Sequence, residues 1–127
     1  MSVKYVIPSY QRPDICQELT LKFLKRHGID DADIYLVLRE DDPYLNDYMD
    51  RASLINILIT DVKGIGKTHN YITEYFDEND FIVEIDDDLQ DLMDNERKPI
   101  ESFKTIVEDM KSLMTDEGIS YGGTYQV

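Results

Sequence analysis

The sequence predicts an α/β fold of the Rossmann-like type, with three α/β/α layers around a mostly parallel sheet. Two observations lead to this prediction. Short apolar segments rich in β-branched residues alternate with segments whose apolar residues recur at helical spacing, and this alternation is typical of doubly wound parallel sheets. Polar residues also follow directly after the apolar segments, at the strand ends where sheets of this class bind ligands.

The first half of the chain contains two predicted strands and two predicted helices. Val3–Pro8 is apolar, rich in β-branched residues and closed by its proline, which predicts a buried strand. A helix is predicted after Pro13, since acidic residues lie near its start, basic residues near its end and Gly28 just beyond. Ile34–Leu38 is the second predicted strand, and residues 43–51 are predicted to form a short helix or a structured loop. The apolar residues at helical spacing after Pro13 are Cys16, Leu19, Phe23 and Leu24.

The second half continues the alternation. Leu54–Thr60 is predicted to be the third strand, and Thr68–Phe76 a short helix capped by Thr68. Phe81–Ile85 is the fourth predicted strand, and an amphipathic helix is predicted from Phe103 to Met114. Two short segments near the end of the chain indicate the start of another strand, Ile119–Tyr121 and Thr124–Val127.

The composition limits the classes of function. With 127 residues, the chain has room for one domain, residues 1–127. Hydrophobic residues make up 42%, which indicates a globular rather than a disordered chain. A net charge of −14 argues against nonspecific binding to a nucleic-acid backbone, which needs clustered Lys and Arg. We expect a cytoplasmic protein, because the lone Cys16 cannot form an internal disulfide and neither a signal peptide nor a membrane span is recognisable.

Acidic residues are concentrated in one part of the chain. Residues 68–96 contain eleven Asp and Glu and no Lys or Arg. One interpretation is a solvated acidic surface. The other is a site for a hard divalent cation, since crowded carboxylates otherwise repel one another.

The strongest single motif is Asp86-Asp87-Asp88, directly after the fourth predicted strand. In extended chain, side chains two residues apart point the same way, so Asp86 and Asp88 are predicted to converge and to hold Mn²⁺ or Mg²⁺. Asp87 is expected to face solvent, the ribose or a partner within the protein. Glu84 lies deeper on the Asp86 side and therefore needs a basic or hydrogen-bonding partner. An acidic turn without a ligand is the alternative.

Three further polar segments lie between the predicted elements. Residues 7–12 and 40–42 follow the first and second strands, and residues 63–70 precede a helix in the manner of a phosphate-binding loop. Gly66-Lys67-Thr68 matches the end of the P-loop pattern, but Asp61 stands where its first glycine belongs. A small P-loop NTPase therefore remains an alternative.

In their order along the chain, the four segments resemble the nucleotide-sugar-binding half of GT-A fold glycosyltransferases, particularly family 2 and related viral and bacterial enzymes. The resemblance covers about residues 3–90. It implies a nucleotide-diphosphate-sugar donor, with a UDP-sugar favoured, and Mn²⁺ or Mg²⁺ as cofactor held by Asp86 and Asp88. It also implies donor-binding roles for residues of all four segments: Pro8, Ser9, Tyr10, Arg12, Glu40, Gly64, Lys67, Asn70, Asp86 and Asp87.

The implied roles differ between the segments. The backbone of residues 7–12 and the Arg12 side chain are expected to approach the nucleotide. Glu40, with Asp41 as the alternative, is expected to reach the base or the ribose. Lys67 is expected to meet the base or the diphosphate.

The chain also departs from that family. It stops at Val127, so the region that usually binds the acceptor and supplies the catalytic base has no counterpart, and no catalytic residue is assigned. A catalytically incomplete nucleotide-binding or interaction module is therefore a second hypothesis. The acceptor stays open between a glycan, a protein and modified DNA. Dimerisation of two copies through the Phe103–Met114 helix or the last strand is a further hypothesis.

Overall fold

The computed structural model describes residues 3–51 and 54–117, with side chains described as far as Met114. It contains a four-stranded, fully parallel sheet together with helices, which confirms the α/β prediction. The strands are β1 Val3–Pro8, β2 Ile34–Arg39, β3 Asn56–Thr60 and β4 Phe81–Glu84. The helices are α1 Pro13–Cys16, α2 Lys22–Arg26, α3 Leu45–Arg51, α4 Ile65–Tyr75 and α5 Phe103–Glu117.

The strand order in the sheet is β3-β2-β1-β4. The chain moves outward from β1 to β2 and β3, and α4 then leads it back across the sheet to β4 on the other side of β1. Val6 lies opposite Glu84 in the β1–β4 register, and the Ile85 amide donates to the Val6 carbonyl at 2.9 Å. The order thus reverses between β1 and β4, and a reversal of this kind is where parallel sheets bind ligands.

Successive residues of the strands enter two separate apolar clusters, because side chains alternate along a strand. Tyr5 and Ile7 of β1 belong to a cluster that includes residues of α2 and α5, among them Phe23 and Phe103. Val6, between them, belongs to a second cluster, formed with Val37, Ile72 and Phe76. Apolar packing on both sides of the strands is what a parallel sheet requires.

A π-helical turn, Gln17–Leu21, joins α1 to α2. The turn buries Thr20 and Leu21, whereas Leu19, which the sequence pattern assigned to the apolar face, is only partly buried. The Thr20 hydroxyl donates to the Asp86 carbonyl at 2.5 Å and accepts the Leu89 amide at 2.8 Å. The helix therefore fixes the backbone on both sides of Asp87 and Asp88.

The start of α4 differs from the prediction. The helix begins at Ile65 and not at Thr68, because Gly64 takes the N-cap position with φ of 97°, a conformation that side-chain-bearing residues rarely adopt. Thr68 lies inside the first turns, where its hydroxyl donates to the Gly64 carbonyl at 2.7 Å. The predicted strand segments Ile119–Tyr121 and Thr124–Val127 lie outside the described residues.

None of the helices within the described ranges is long and apolar enough to cross a membrane.

Replacing Thr20 with Val should lower the free energy of unfolding by about 1–3 kcal/mol, because the Leu89 amide and the Asp86 carbonyl lose their buried partner. Urea denaturation of the purified protein measures this difference. Thr73→Val is the matched control, since the exposed Thr73 hydroxyl donates to the His69 carbonyl within α4 and has no other hydrogen bond among the described residues. An equal effect of both substitutions would contradict the prediction.

Candidate functional site

The carboxyl ends of β1 and β4 meet through a buried chain of hydrogen bonds. Ser9, the first residue after β1, donates from its Oγ to Oδ2 of Asp87 at 2.8 Å. The same Oγ lies 2.7 Å from the hydroxyl of Tyr48 on α3. All three side chains are buried, and Asp87 is 7% exposed. A carboxylate at this depth is costly unless hydrogen bonds or charges compensate it, and the Ser9 hydroxyl supplies one such bond.

Arg12 compensates the charge of the same carboxylate. Its Nε lies 3.6 Å from Oδ2 of Asp87, and its Nη2 lies 3.3 Å from Oδ2 of Asp88. The Arg12 side chain is 42% exposed, so water screens this pairing and it contributes little to stability. The pairing instead determines where the side chain lies, because it places the Arg12 guanidinium of the loop after β1 against two carboxylates of the loop after β4.

Asp86 and Asp88 are exposed on either side of buried Asp87. The sequence left open whether Asp87 faces solvent, a ribose or a partner within the protein, and the structure shows that it contacts protein partners. No group of three or more His, Cys, Asp and Glu side chains suited to a metal ion is found within residues 3–51 and 54–117. The chemistry of two exposed carboxylates nevertheless fits Mg²⁺ or Mn²⁺, since Mg²⁺ usually takes one or two protein carboxylates together with substrate phosphates and water.

The segment after β2 holds the loop after β1. The carboxylate of Asp42, 4% exposed, accepts the Gln11 amide at 2.7 Å and the Tyr44 amide at 2.8 Å. The Arg12 amide donates to the Tyr48 hydroxyl at 2.7 Å. The sequence pattern places Asp42 in the polar segment 40–42, as a ligand contact or as part of a solvated acidic loop, and gives no role to Tyr48, because both residues lie more than thirty residues from the loop that they bind.

Glu40, which is predicted to reach the base or the ribose, belongs to this segment, and Tyr10 of the loop after β1 lies beside it. The Glu40 side chain is exposed, and its backbone amide donates to the Thr60 carbonyl at 2.9 Å. Tyr10 is partly exposed and stacks against Arg39, whose guanidinium carbon lies 4.0 Å from the ring centroid. Arg39 in turn donates to Asp41 at 2.7 Å, and this hydrogen bond is the main cause that lowers the pKa of Asp41. Tyr10 therefore presents a ring whose position a cation already stabilises.

A third part of the predicted site forms an open depression of about 470 Å³ beside α4. Gly64 is the N-cap residue of α4, directly before its first turn. Lys67 and Asn70 make no hydrogen bond or ion pair with the Asp86–Asp88 segment in the part of the chain that is described. The depression is lined by Asp61, Val62, Lys63, Lys67, Asn70, Tyr71 and Glu74.

The partner that Glu84 needs is His69 of α4. Nδ1 of His69 contacts Oε2 of Glu84, whose side chain is 28% exposed. Desolvation by burial raises the pKa of Glu84, and the charge and hydrogen bond of His69 only partly oppose this rise. The contact ties α4 to the last residue of β4, two positions before Asp86.

Comparisons with protein-family models, with curated proteins and with solved structures find no match for this chain. The fold and the site define an α/β protein with polar side chains gathered at the point where the order of its parallel strands reverses.

Replacing His69 with Ala should raise the pKa of Glu84 further, because the two interactions that lower it disappear while its burial remains. Carboxyl-carbon NMR titration of Glu84 measures the shift. Asn70→Ala changes the neighbouring residue of α4 and leaves the His69–Glu84 contact intact, so the Glu84 titration should not move. A Glu84 pKa that stays constant in His69→Ala would refute the role assigned to His69.

Proposed function

We propose that this chain binds a nucleotide-diphosphate sugar through Mn²⁺ or Mg²⁺ and transfers the sugar to an acceptor, as a GT-A-like glycosyltransferase domain with a UDP-sugar as the favoured donor. One observation carries the proposal. Ser9 and Arg12 after β1 are joined to Asp87 and Asp88 after β4 where the strand order reverses. The two apolar clusters contain alternate residues of the strands, and this supports the proposed three-layer arrangement.

In this proposal the acidic segment has two tasks. Asp86 and Asp88 hold the divalent cation, which offsets the charge that develops on the departing diphosphate. Asp87 acts from the buried side, where it accepts the Ser9 hydroxyl and faces Arg12. The loop after β1 is thereby kept close to the phosphate oxygens.

Arg12 has a second task in the proposed donor complex. A guanidinium matches phosphate geometry through several fixed donors. In the described structure this guanidinium rests on Asp88, next to the position proposed for the cation. Arg12 thus balances carboxylate charge before the donor arrives and can donate to the diphosphate afterwards.

The remaining residues of the predicted site lie in the segments that follow β1, β2 and β3. Glu40 and Tyr10 are exposed near the end of β2, where we assign them to the base or the ribose. Lys67 and Asn70 face the depression beside α4, and Lys67 supplies positive charge for the base or the diphosphate. Gly64 allows the turn from which α4 begins.

Two alternatives make different predictions. A binding module without catalysis would bind the same donor but neither hydrolyse it nor transfer its sugar to a glycan, a protein or modified DNA. A P-loop NTPase would bind ATP through Lys67 and would not need Glu40. The sequence does not favour this second alternative, because Asp61 stands where the first glycine of the P-loop pattern belongs.

Substituting Asp88 with Asn should abolish metal-dependent UDP binding, because a proposed cation ligand loses its charge. Titration calorimetry of UDP with Mn²⁺, and again with a chelator, measures this loss. Glu96→Gln is the control, since it removes one charge from an exposed side chain that pairs only with Lys98 among the described contacts. Unchanged affinity in Asp88→Asn, or binding of ATP alone, would count against the proposal.

Substituting Arg12 with Gln should change two affinities in opposite directions. Binding of Mn²⁺ alone should tighten, because the Arg12 guanidinium, which competes with the metal ion for Asp88, is removed. Binding of UDP with saturating Mn²⁺ should weaken, because a phosphate donor is lost. Calorimetric titration of each ligand separates the two effects, and weaker binding of both would show that Arg12 does not compete with the cation.

A further inference from the structure

We propose that Tyr48 and Asp42, in the segment after β2, are positioning residues that hold the loop Ser9–Arg12 in the conformation that directs Arg12 to Asp87 and Asp88. The expected change in UDP affinity rests on the function proposed above. The expected change in the conformation of the loop is independent of that function.

The hydroxyl of Tyr48 joins two parts of that loop. Tyr48 is 2% exposed, accepts the Arg12 amide and contacts the Ser9 hydroxyl, both at 2.7 Å. Ser9 has one hydroxyl hydrogen, which it donates to Asp87. The hydrogen between Tyr48 and Ser9 must therefore come from Tyr48, and the chain of donors runs from Tyr48 through Ser9 to Asp87.

Burial keeps this phenol in its donating form. Desolvation is the main cause that raises the pKa of Tyr48, so the hydroxyl remains protonated well above neutral pH. It can accept the Arg12 amide and donate to Ser9 at the same time. A phenylalanine at this position would retain the buried ring but would leave the amide and the Ser9 oxygen without their shared partner.

Asp42 fixes the loop one residue earlier. Gln11 has φ of 55°, in the left-handed region that residues with a side chain rarely occupy. Its amide donates to the buried Asp42 carboxylate at 2.7 Å. A bond to a charged acceptor stabilises a conformation that the loop would otherwise leave. Asp42 and Tyr48 thus hold consecutive amides, those of Gln11 and Arg12.

The test compares Tyr48→Phe with Tyr44→Phe, in which an exposed tyrosine four residues earlier loses its hydroxyl. Hydrogen exchange of the Arg12 amide should accelerate about tenfold in Tyr48→Phe and stay unchanged in the control. The affinity for UDP with Mn²⁺ should fall about three- to tenfold, the range expected from one net hydrogen bond. The amide of buried Ile72 reports the stability of the core in the same spectra, and its exchange should change less than that of Arg12.

Each outcome decides one part of the proposal. Unchanged Arg12 exchange in folded Tyr48→Phe overturns the positioning role, and so does equal acceleration at Arg12 and Ile72, which would show a structural role alone. If the unmodified chain does not bind UDP, the proposed function fails while Arg12 exchange still decides the role of Tyr48.

If Tyr48→Phe does not fold, Asp42→Asn replaces it. Gln11 exchange should then accelerate without a similar change at Ile72, and unchanged Gln11 exchange overturns the proposal.

Discussion

The buried carboxylate of Asp87 is the constraint on which the arrangement of the site depends. A carboxylate in this position needs donors from within the protein, and it obtains them from Ser9 and Arg12 of the loop after β1. These donors are available only because β1 and β4 are neighbours in the sheet. The burial of Asp87 therefore depends on the strand order, and it also depends on the conformation of the loop after β1.

The acidic part of the chain contains carboxylates in two kinds of surroundings. Asp86 and Asp88 are exposed, as a solvated surface or a cation site requires. Asp87 and Glu84 instead have internal partners, Ser9 and His69, contributed by other elements. Glu84 ends β4, whereas Asp87 lies in a turn beyond the strand, so each of these two carboxylates owes its internal position to its own partner and not to the alternation of side chains along one strand.

The strands could be predicted from the sequence, because a buried parallel strand is recognisable from its own β-branched residues. Val3–Pro8 was predicted with the bounds that the structure has, and β4 within one residue. The start of α4 and the exposure of Leu19 were predicted less well, since a glycine cap and a π turn break the regular pattern. The partners Tyr48 and Asp42 could not be predicted at all, because local periodicity contains no information about contacts across more than thirty residues.

The π turn at Gln17–Leu21 makes the site sensitive to the number of residues in a helix. An α-helix advances by roughly 100° per residue, so one extra residue rotates everything that follows by that angle. A single-residue deletion in this turn could be absorbed as a regular helix, yet Thr20 would turn away from Asp86 and Leu89. Among homologous chains, the length of this helix should therefore vary together with the sequence of the loop after β4.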